Sequence, residues 1–410
     1  MNASRYDTSW LTAPHVAKLL AALNAEGEEA RIAGGAVRNT LLGEPIGDVD
    51  VATTATPTDA SRILGAAGFK IVPTGVEHGT VTAVRGGEAV EVTTLREDVE
   101  TDGRHAIVAF GRDWVRDAER RDLTMNALYM NADGSVFDPL GVEADVHARN
   151  VRFVGEAARR IEEDHLRILR FFRFFAWYGR HRPDADGLRA CARLKGGIES
   201  LSVERVWQEV RKTLAARDPS RALLWMRQTG VLTVALPETE RWGIDAVPQL
   251  TAAEDAFDWR PDPLLRLAAM LPPDPKVVAA LAKRLKLSND DRDALLRWSE
   301  GARPNPAFDD VDLARTMYAT SREGTEHVVR LALAKAHAAG DLNEVAAFRR
   351  QLDVAVAWDR PVMPVQGRDL RDRGVEPGPE MGEQLREIER RWIASGFTLT
   401  RDELLPTSDS

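Results

Sequence analysis

Cysteine is almost absent: Cys191 is the only one in 410 residues. Its isolation excludes an intramolecular disulfide and any zinc site built on a cysteine cluster. No apolar run is long enough to span a bilayer. The opening MNASRYDTSW lacks the basic-then-apolar layout of a secretory signal. Both absences point to a cytoplasmic protein with no membrane partner. Net positive charge is missing as well, with 55 Lys and Arg against 64 Asp and Glu. An acidic chain is no general nucleic-acid binder, so an RNA partner would need basic residues concentrated on one surface. Histidine pairs are lacking too. His327 and His337 stand in helical sequence without a matching His/Asp cluster, so no phosphohydrolase domain of the His-Asp type is expected. There is no internal repeat and no low-complexity tract. What is present is a 44% hydrophobic fraction in a chain long enough for more than one compact unit.

The texture changes along the chain. Residues 1 to about 25 carry a helical apolar pattern (Val16, Leu19, Leu20, Leu23) behind Pro14. From Ala30 to about Asn150, short β-branched segments alternate with glycines: VDVATT, FKIVPT, GTVTAV, AVEVTTL and then VRFVG. This predicts a mixed α/β region with hairpins. Beyond about Gly155 helical periodicity dominates, interrupted by connectors at 302–311 and 359–380, and the tail DELLPTSDS reads as disordered. The expected segmentation is 1–155, 156–230, 231–358 and 359–410.

The most informative stretch is RIAGGAVRNTLLGEPIGDVDVATTATP. Gly34 and Gly35 follow a short apolar strand and open a helix. There they let the backbone approach a ligand and aim N–H groups at phosphates, although a plain strand–helix turn looks the same. Asp48 and Asp50 lie at i and i+2 on an expected strand, which would point both carboxylates to one face. Adjacent like charges raise each other's pKa unless a cation sits between them, and hard oxygen ligands suit Mg²⁺. Two ions there could activate an attacking hydroxyl and stabilise leaving pyrophosphate. A bare D-x-D also occurs on solvated strand ends; its coupling to the Gly-Gly turn makes the pair informative.

GGAVRNTLLGEPIGDVDVATTATP resembles the head motif of the DNA polymerase β-type nucleotidyltransferase superfamily. More narrowly, it is similar to class II CCA-adding enzymes and their relatives, the bacterial poly(A) polymerases. The resemblance implies metal binding by Asp48 and Asp50, with Gly34, Gly35 and Arg38 around a triphosphate. It departs at Asn39, where family members commonly carry Asp, which puts a supporting interaction in doubt. Glu91, alternating with Val90 and Val92, is the implied third carboxylate; otherwise it is an exposed strand residue. AERRDLTMNALYM resembles the RRDFTxNA motif. This implies Arg121 at triphosphate oxygens, suited to its guanidinium fork, and Asp122 and Asn126 at the ribose or a local helix start. Between these motifs, Asp98, Asp102, Gly103, Arg104 and His105 are expected in a polar, flexible loop.

IEEDHLRILRFFRFFAWYG resembles the family's EDxxRxxR helix. Asp164 and Arg167 are three apart, which alone would fit a solvated i,i+3 salt bridge. Cytosine and adenine share an exocyclic amine beside an unprotonated ring nitrogen. A carboxylate accepts from the first and a guanidinium donates to the second, whereas uracil and guanine reverse both groups. The spacing permits this selection and the resemblance assigns it, with Glu163 and Arg170 as braces. The same helix begins the basic asymmetry: Arg167, Arg170, Arg173, Arg180, Arg182, Arg189, Arg193 and Lys195 face only Asp184 and Asp186. LSVERVWQEVRKTL resembles an SxERxxxE helix that would orient the neck, with Ser202 as N-cap and Glu204, Arg205 and Glu209 along it.

The fold so implied is α+β: a polymerase β-type head with a small mixed sheet, then an elongated all-helical neck, body and tail. The implied activity is template-independent addition of C, C and A to the 3′ end of tRNA from CTP and ATP, using two Mg²⁺ ions. A poly(A) polymerase, an enzyme adding only CC or only A, and a non-catalytic RNA-binding protein on a decayed transferase scaffold stay open as alternatives.

Overall fold

The structure is a computed structural model that describes residues 6–102, 105–240 and 242–405. The chain forms two compact units, Met1–Pro237 and Glu238–Ser410. Among the described residues no helix is long and apolar enough to cross a membrane.

In the first unit, helix α1 (Pro14–Ala25) buries Val16, Leu19, Leu20 and Leu23, starting later than the expected residue 1 because Ser9–Thr12 forms a separate 3₁₀ turn. Then come β1 (Ala30–Ala33), α2 (Gly35–Leu42), β2 (Asp50–Thr53), α3 (Pro57–Ala66), β3 (Lys70–Gly75), β4 (Thr80–Arg85) and β5 (Glu88–Thr94). Local chemistry sets these bounds. Gly43 ends α2 in the left-handed region, while Thr56 caps α3 by accepting from the Asp59 N–H, with Pro57 in the first turn. Two short strands, β8 (Tyr129–Met130) and β9 (Val136–Phe137), complete a sheet ordered β3-β4-β5-β2-β1-β8-β9, in which only β2 and β5 run parallel. Along β5 burial alternates: Val90 and Val92 enter the core and Glu91 faces out.

Two expectations change here. VRFVG is not a strand; only Phe153 makes an isolated bridge, to Leu123, and its ring stacks on Phe171 at 5.2 Å. The β-branched texture of this segment serves packing against a helix, not a ladder. The expected polar loop after β5 is instead an antiparallel hairpin of β6 (Arg96–Asp102) and β7 (His105–Phe110). Gly103, Arg104 and the side chains of Asp98, Asp102 and His105 lie outside what the structure describes.

The helices that carry the cleft follow: α4 (Trp114–Glu119), α5 (Glu143–His147), α6 (Ala157–Glu163), α7 (Leu166–Tyr178), α8 (Ala185–Leu194) and α9 (Val203–Leu214). Helix α7 buries Leu166, Ile168, Leu169, Phe171, Phe172, Phe174 and Phe175, which leaves its arginines on the remaining face.

The second unit is helical among its described residues. Val329, Leu333, Ala336, Phe348 and Leu352 join helices Arg322–Ala339 and Leu342–Ala357. A further cluster gathers Leu370, Met381, Ile388, Trp392 and Leu404, with Tyr318 packed against it, so residues beyond 359 share a core with the helix Asp310–Ala319. Arg266 is fully buried and donates to the Glu254 carboxylate.

Candidate active site

The turn between β1 and α2 sets one wall. Gly34 has φ 62° and ψ −108°, a conformation that disfavours any Cβ, and its N–H donates to Leu128 O at 3.1 Å. A Cβ there would lie 3.4 Å from Arg121 Nη1, so the glycine also keeps the turn close to that guanidinium. Arg38, one turn into α2, is buried. It donates to Asn126 Oδ1 (2.6 Å) and to the Tyr178 hydroxyl (2.8 Å), and lies 4.2 Å from the Tyr178 ring centroid. Burial pulls its pKa down, with Tyr178 opposing.

The carboxylates stand beside this wall. Asp50 opens β2, level with Glu91 on β5 in the parallel register. Asp48 is in the irregular segment before the strand, not on it as expected, because the ladder begins only at Asp50. The Asp50 carboxyl is pushed up to about 6 by partial burial, then by Glu91 and Asp48, with Arg121 opposing. Oxygen donors of one sign, only partly offset by Arg121, suit a hard divalent cation such as Mg²⁺.

Opposite lies a guanidinium array held by two buried acids. Asp117 accepts from Arg120 Nε and Nη2 (2.9 and 2.7 Å), from Arg121 Nη2 (3.1 Å) and from the Tyr129 hydroxyl (2.6 Å). Burial alone would raise this carboxyl; Arg121 and Arg120 overcome burial and hold it at about 2. Asp122 accepts from the Leu123 N–H (2.9 Å), Asn126 Nδ2 (3.0 Å) and Arg170 Nε (2.6 Å). Here too burial is outweighed, chiefly by Arg170, and the carboxyl sits at about 2. Asp122 and Asn126 are thus joined in one chain of bonds running from Arg170 through Asn126 to Arg38.

The expected single neck helix is broken. Asp164 terminates α6 with extended geometry (φ −155°, ψ 107°) and α7 restarts at Leu166. Asp164 and Arg167 therefore do not pair with one another. Asp164 accepts from the Leu166 N–H (3.0 Å) and from Arg205 Nη2 (2.8 Å). Arg167 Nη1 donates to Glu163 Oε2 (2.6 Å) and Arg160 O (3.0 Å). Arg170 makes its ion pair with Asp122 and meets Asp164 through charge alone. Ser202 is the N-cap of α9 by position, but its side chain makes no capping bond; Glu209 on that helix holds Arg173 at 2.6 Å.

Every site residue expected from the sequence except Glu91 lines a single cleft of about 660 Å³. Its lining brings the carboxylates Asp48 and Asp50, the guanidiniums of Arg38, Arg120, Arg121 and Arg170, and the side chains of Asp164 and Arg167 around one space. Such a lining can meet a triphosphate, a base edge and a cation.

Known proteins resemble this chain over most of its length. A family described as "Poly A polymerase head domain" matches residues 30–152, and one described as "Probable RNA and SrmB- binding site of polymerase A" matches 183–242. CCA tRNA nucleotidyltransferase 1, mitochondrial, of Mus musculus is 36% identical over 398 residues, covering 93% of this chain and 86% of the mouse protein. The chain belongs to the CCA tRNA nucleotidyltransferase family. A CCA-adding enzyme of Geobacillus stearothermophilus is 40% identical over 212 residues, 51% of each chain. The crystal structure of Bacillus stearothermophilus CCA-adding enzyme in complex with CTP superposes with a TM-score of 0.73 at 29% identity, over 92% of this chain and 91% of that one.

In this CCA tRNA nucleotidyltransferase family member, three residues that hold the arginines of the cleft were not anticipated. Asp117 had a legible signal, since it stands three and four before Arg120 and Arg121 on a helical spacing. Tyr129 and Tyr178 had none: each reaches its arginine only through tertiary packing.

Proposed function

We propose that the protein adds C, C and A to the 3′ end of tRNA from CTP and ATP, releasing pyrophosphate. The observation that carries this reading is the single cleft joining Asp48 and Asp50 to Arg38 and Arg121, and these to Asp164 and Arg167. The superposable relative bound to CTP supports it.

Asp48 and Asp50 would hold magnesium, with Glu91 beside them. Two ions bound there would lower the pKa of the RNA 3′-hydroxyl and screen the departing pyrophosphate. The chain's own groups do the rest. The Gly34–Gly35 turn and the Arg38 and Arg121 guanidiniums seat the triphosphate, and both guanidiniums are fixed in advance, by Asn126 and Tyr178 and by Asp117 and Tyr129. The RNA 3′ oxygen attacks the α-phosphorus in line, and the bond to the bridging oxygen of pyrophosphate breaks. Asp164 accepts from the exocyclic amine of C or A, and Arg167 donates to the adjacent ring nitrogen. Arg205 and Glu163 hold these two side chains, so selection requires no nucleic-acid template. The head would supply chemistry, residues 156–230 base selection, and the helices beyond a surface for tRNA.

The test is incorporation of CMP and AMP into tRNA lacking its terminal CCA, with Asp50→Ala as control. The wild type transfers, while the variant binds RNA and does not transfer. Near-wild-type transfer by Asp50→Ala would refute the carboxylate assignment.

A further inference from the structure

The chain leaves α2 at Leu42 and must deliver Asp48 to the cleft before entering β2. The start of this segment is tied down. Glu44 N–H donates to Asn39 O (2.9 Å), Arg149 donates to the Glu44 carboxylate (2.8 Å), and Asn39 Nδ2 donates to Pro45 O (2.7 Å). Among the described residues no further hydrogen bond holds the chain between Pro45 and the ladder at Asp50. The Pro45 carbonyl is therefore the last such anchor before Asp48.

The other end of the same carboxamide faces the phosphate side. Arg38 Nε and Nη2 both donate to Asn39 Oδ1, at 3.2 and 3.0 Å. The reverse amide orientation would set Nδ2 against the guanidinium and Oδ1 against the Pro45 carbonyl, so the network admits only one orientation. Donor and acceptor are both needed. A carboxylate would still accept from Arg38, but its second oxygen would meet the Pro45 carbonyl acceptor to acceptor.

We propose that Asn39 is a positioning residue whose carboxamide ties the Arg38 guanidinium to the loop that delivers Asp48, so that one side chain sets the phosphate-facing cation and the carboxylate together. The consequence for metal affinity rests on the function proposed above; the tie itself does not. The test is hydrogen–deuterium exchange of peptides spanning 43–50, with Mn²⁺ titration by electron paramagnetic resonance, in the full-length wild type, Asn39→Asp and Asn39→Ala. Loosening of the tie should raise exchange at the Glu44 N–H, the bonded amide of this segment, by about tenfold in both variants, with α1 unchanged. Mn²⁺ affinity should fall about tenfold in both. CTP affinity should fall in Asn39→Ala but hold in Asn39→Asp, which keeps the Arg38 contact and carries the test should Asn39→Ala fail to fold. Wild-type exchange in 43–50, or wild-type Mn²⁺ affinity in both variants, would overturn the proposal. Exchange is read without turnover, so failure here and failure of the proposed function are told apart.

Discussion

Arg167 does not wait free for a base; it is held by Glu163 and the Arg160 carbonyl, and only its remaining N–H groups are available to a nucleotide. Removing it should take away the donor to the ring nitrogen and leave a cavity indifferent to that edge. Arg167→Ala should therefore narrow the preference for CTP and ATP over UTP and GTP by about 10²-fold or more, read as the ratio of kcat/KM values. Unchanged selectivity would exclude the protein-template role. Gly34 makes a different prediction. Alanine at φ 62° carries backbone strain, so Gly34→Ala should lose about 1–3 kcal/mol of stability in urea unfolding and weaken triphosphate binding, because the strained turn is the one that approaches Arg121. At this scale the sequence was informative through the resemblance: every site residue it implied except Glu91 lines the cleft. What it could not supply was who holds them. Tyr178 lies far along the chain from Arg38, and nothing in local pattern joins them.

Elements show where a periodic reading fails. Asp164 and Arg167 are three apart, and helical geometry would pair them, but the backbone leaves the helix at Asp164 and each side chain finds a partner elsewhere. The break frees the Asp164 carboxylate toward the cleft, a tertiary requirement that overrides propensity. Asp48 is similar: alternation placed it on β2, whereas the ladder starts two residues later. The buried acids that organise the arginine array have a consequence in pH. Asp117 and Asp122 sit at about 2 in the folded state against an ordinary 3.8. Between those values the unfolded chain binds more protons. The stability they give is therefore complete above about pH 4 and is lost as pH falls toward 2. Each is worth on the order of 2 kcal/mol. Asp117→Asn should be less stable than wild type at pH 7, with the gap closing by about that amount at pH 2–3 in urea titrations. A gap independent of pH would contradict this account of the array.

For the whole molecule, composition alone pointed away from RNA, and the run of arginines from Arg167 onward indicated where a basic surface would lie. The α/β-then-helical order was legible because strand and helix periods differ so plainly on either side of about Gly155. The two compact units divide at Pro237, between helices of the same texture. Not legible was the pair Arg266 and Glu254, which is buried in the second unit and formed by tertiary packing. Glu254→Ala would remove the carboxylate that faces a fully buried guanidinium and should destabilise the protein by about 3–5 kcal/mol, visible as a lowered Tm in calorimetry. A change within about 0.5 kcal/mol would mean that the pair is hydrated and replaceable. The central claim concerns what the cleft makes. Purified protein, Mg²⁺ and a tRNA transcript lacking its 3′ CCA should be incubated with each nucleotide alone and together, and the products resolved to single-nucleotide length. Extension by three residues that requires both CTP and ATP is the expected result. A long ladder with ATP alone, or no extension at all, would contradict it.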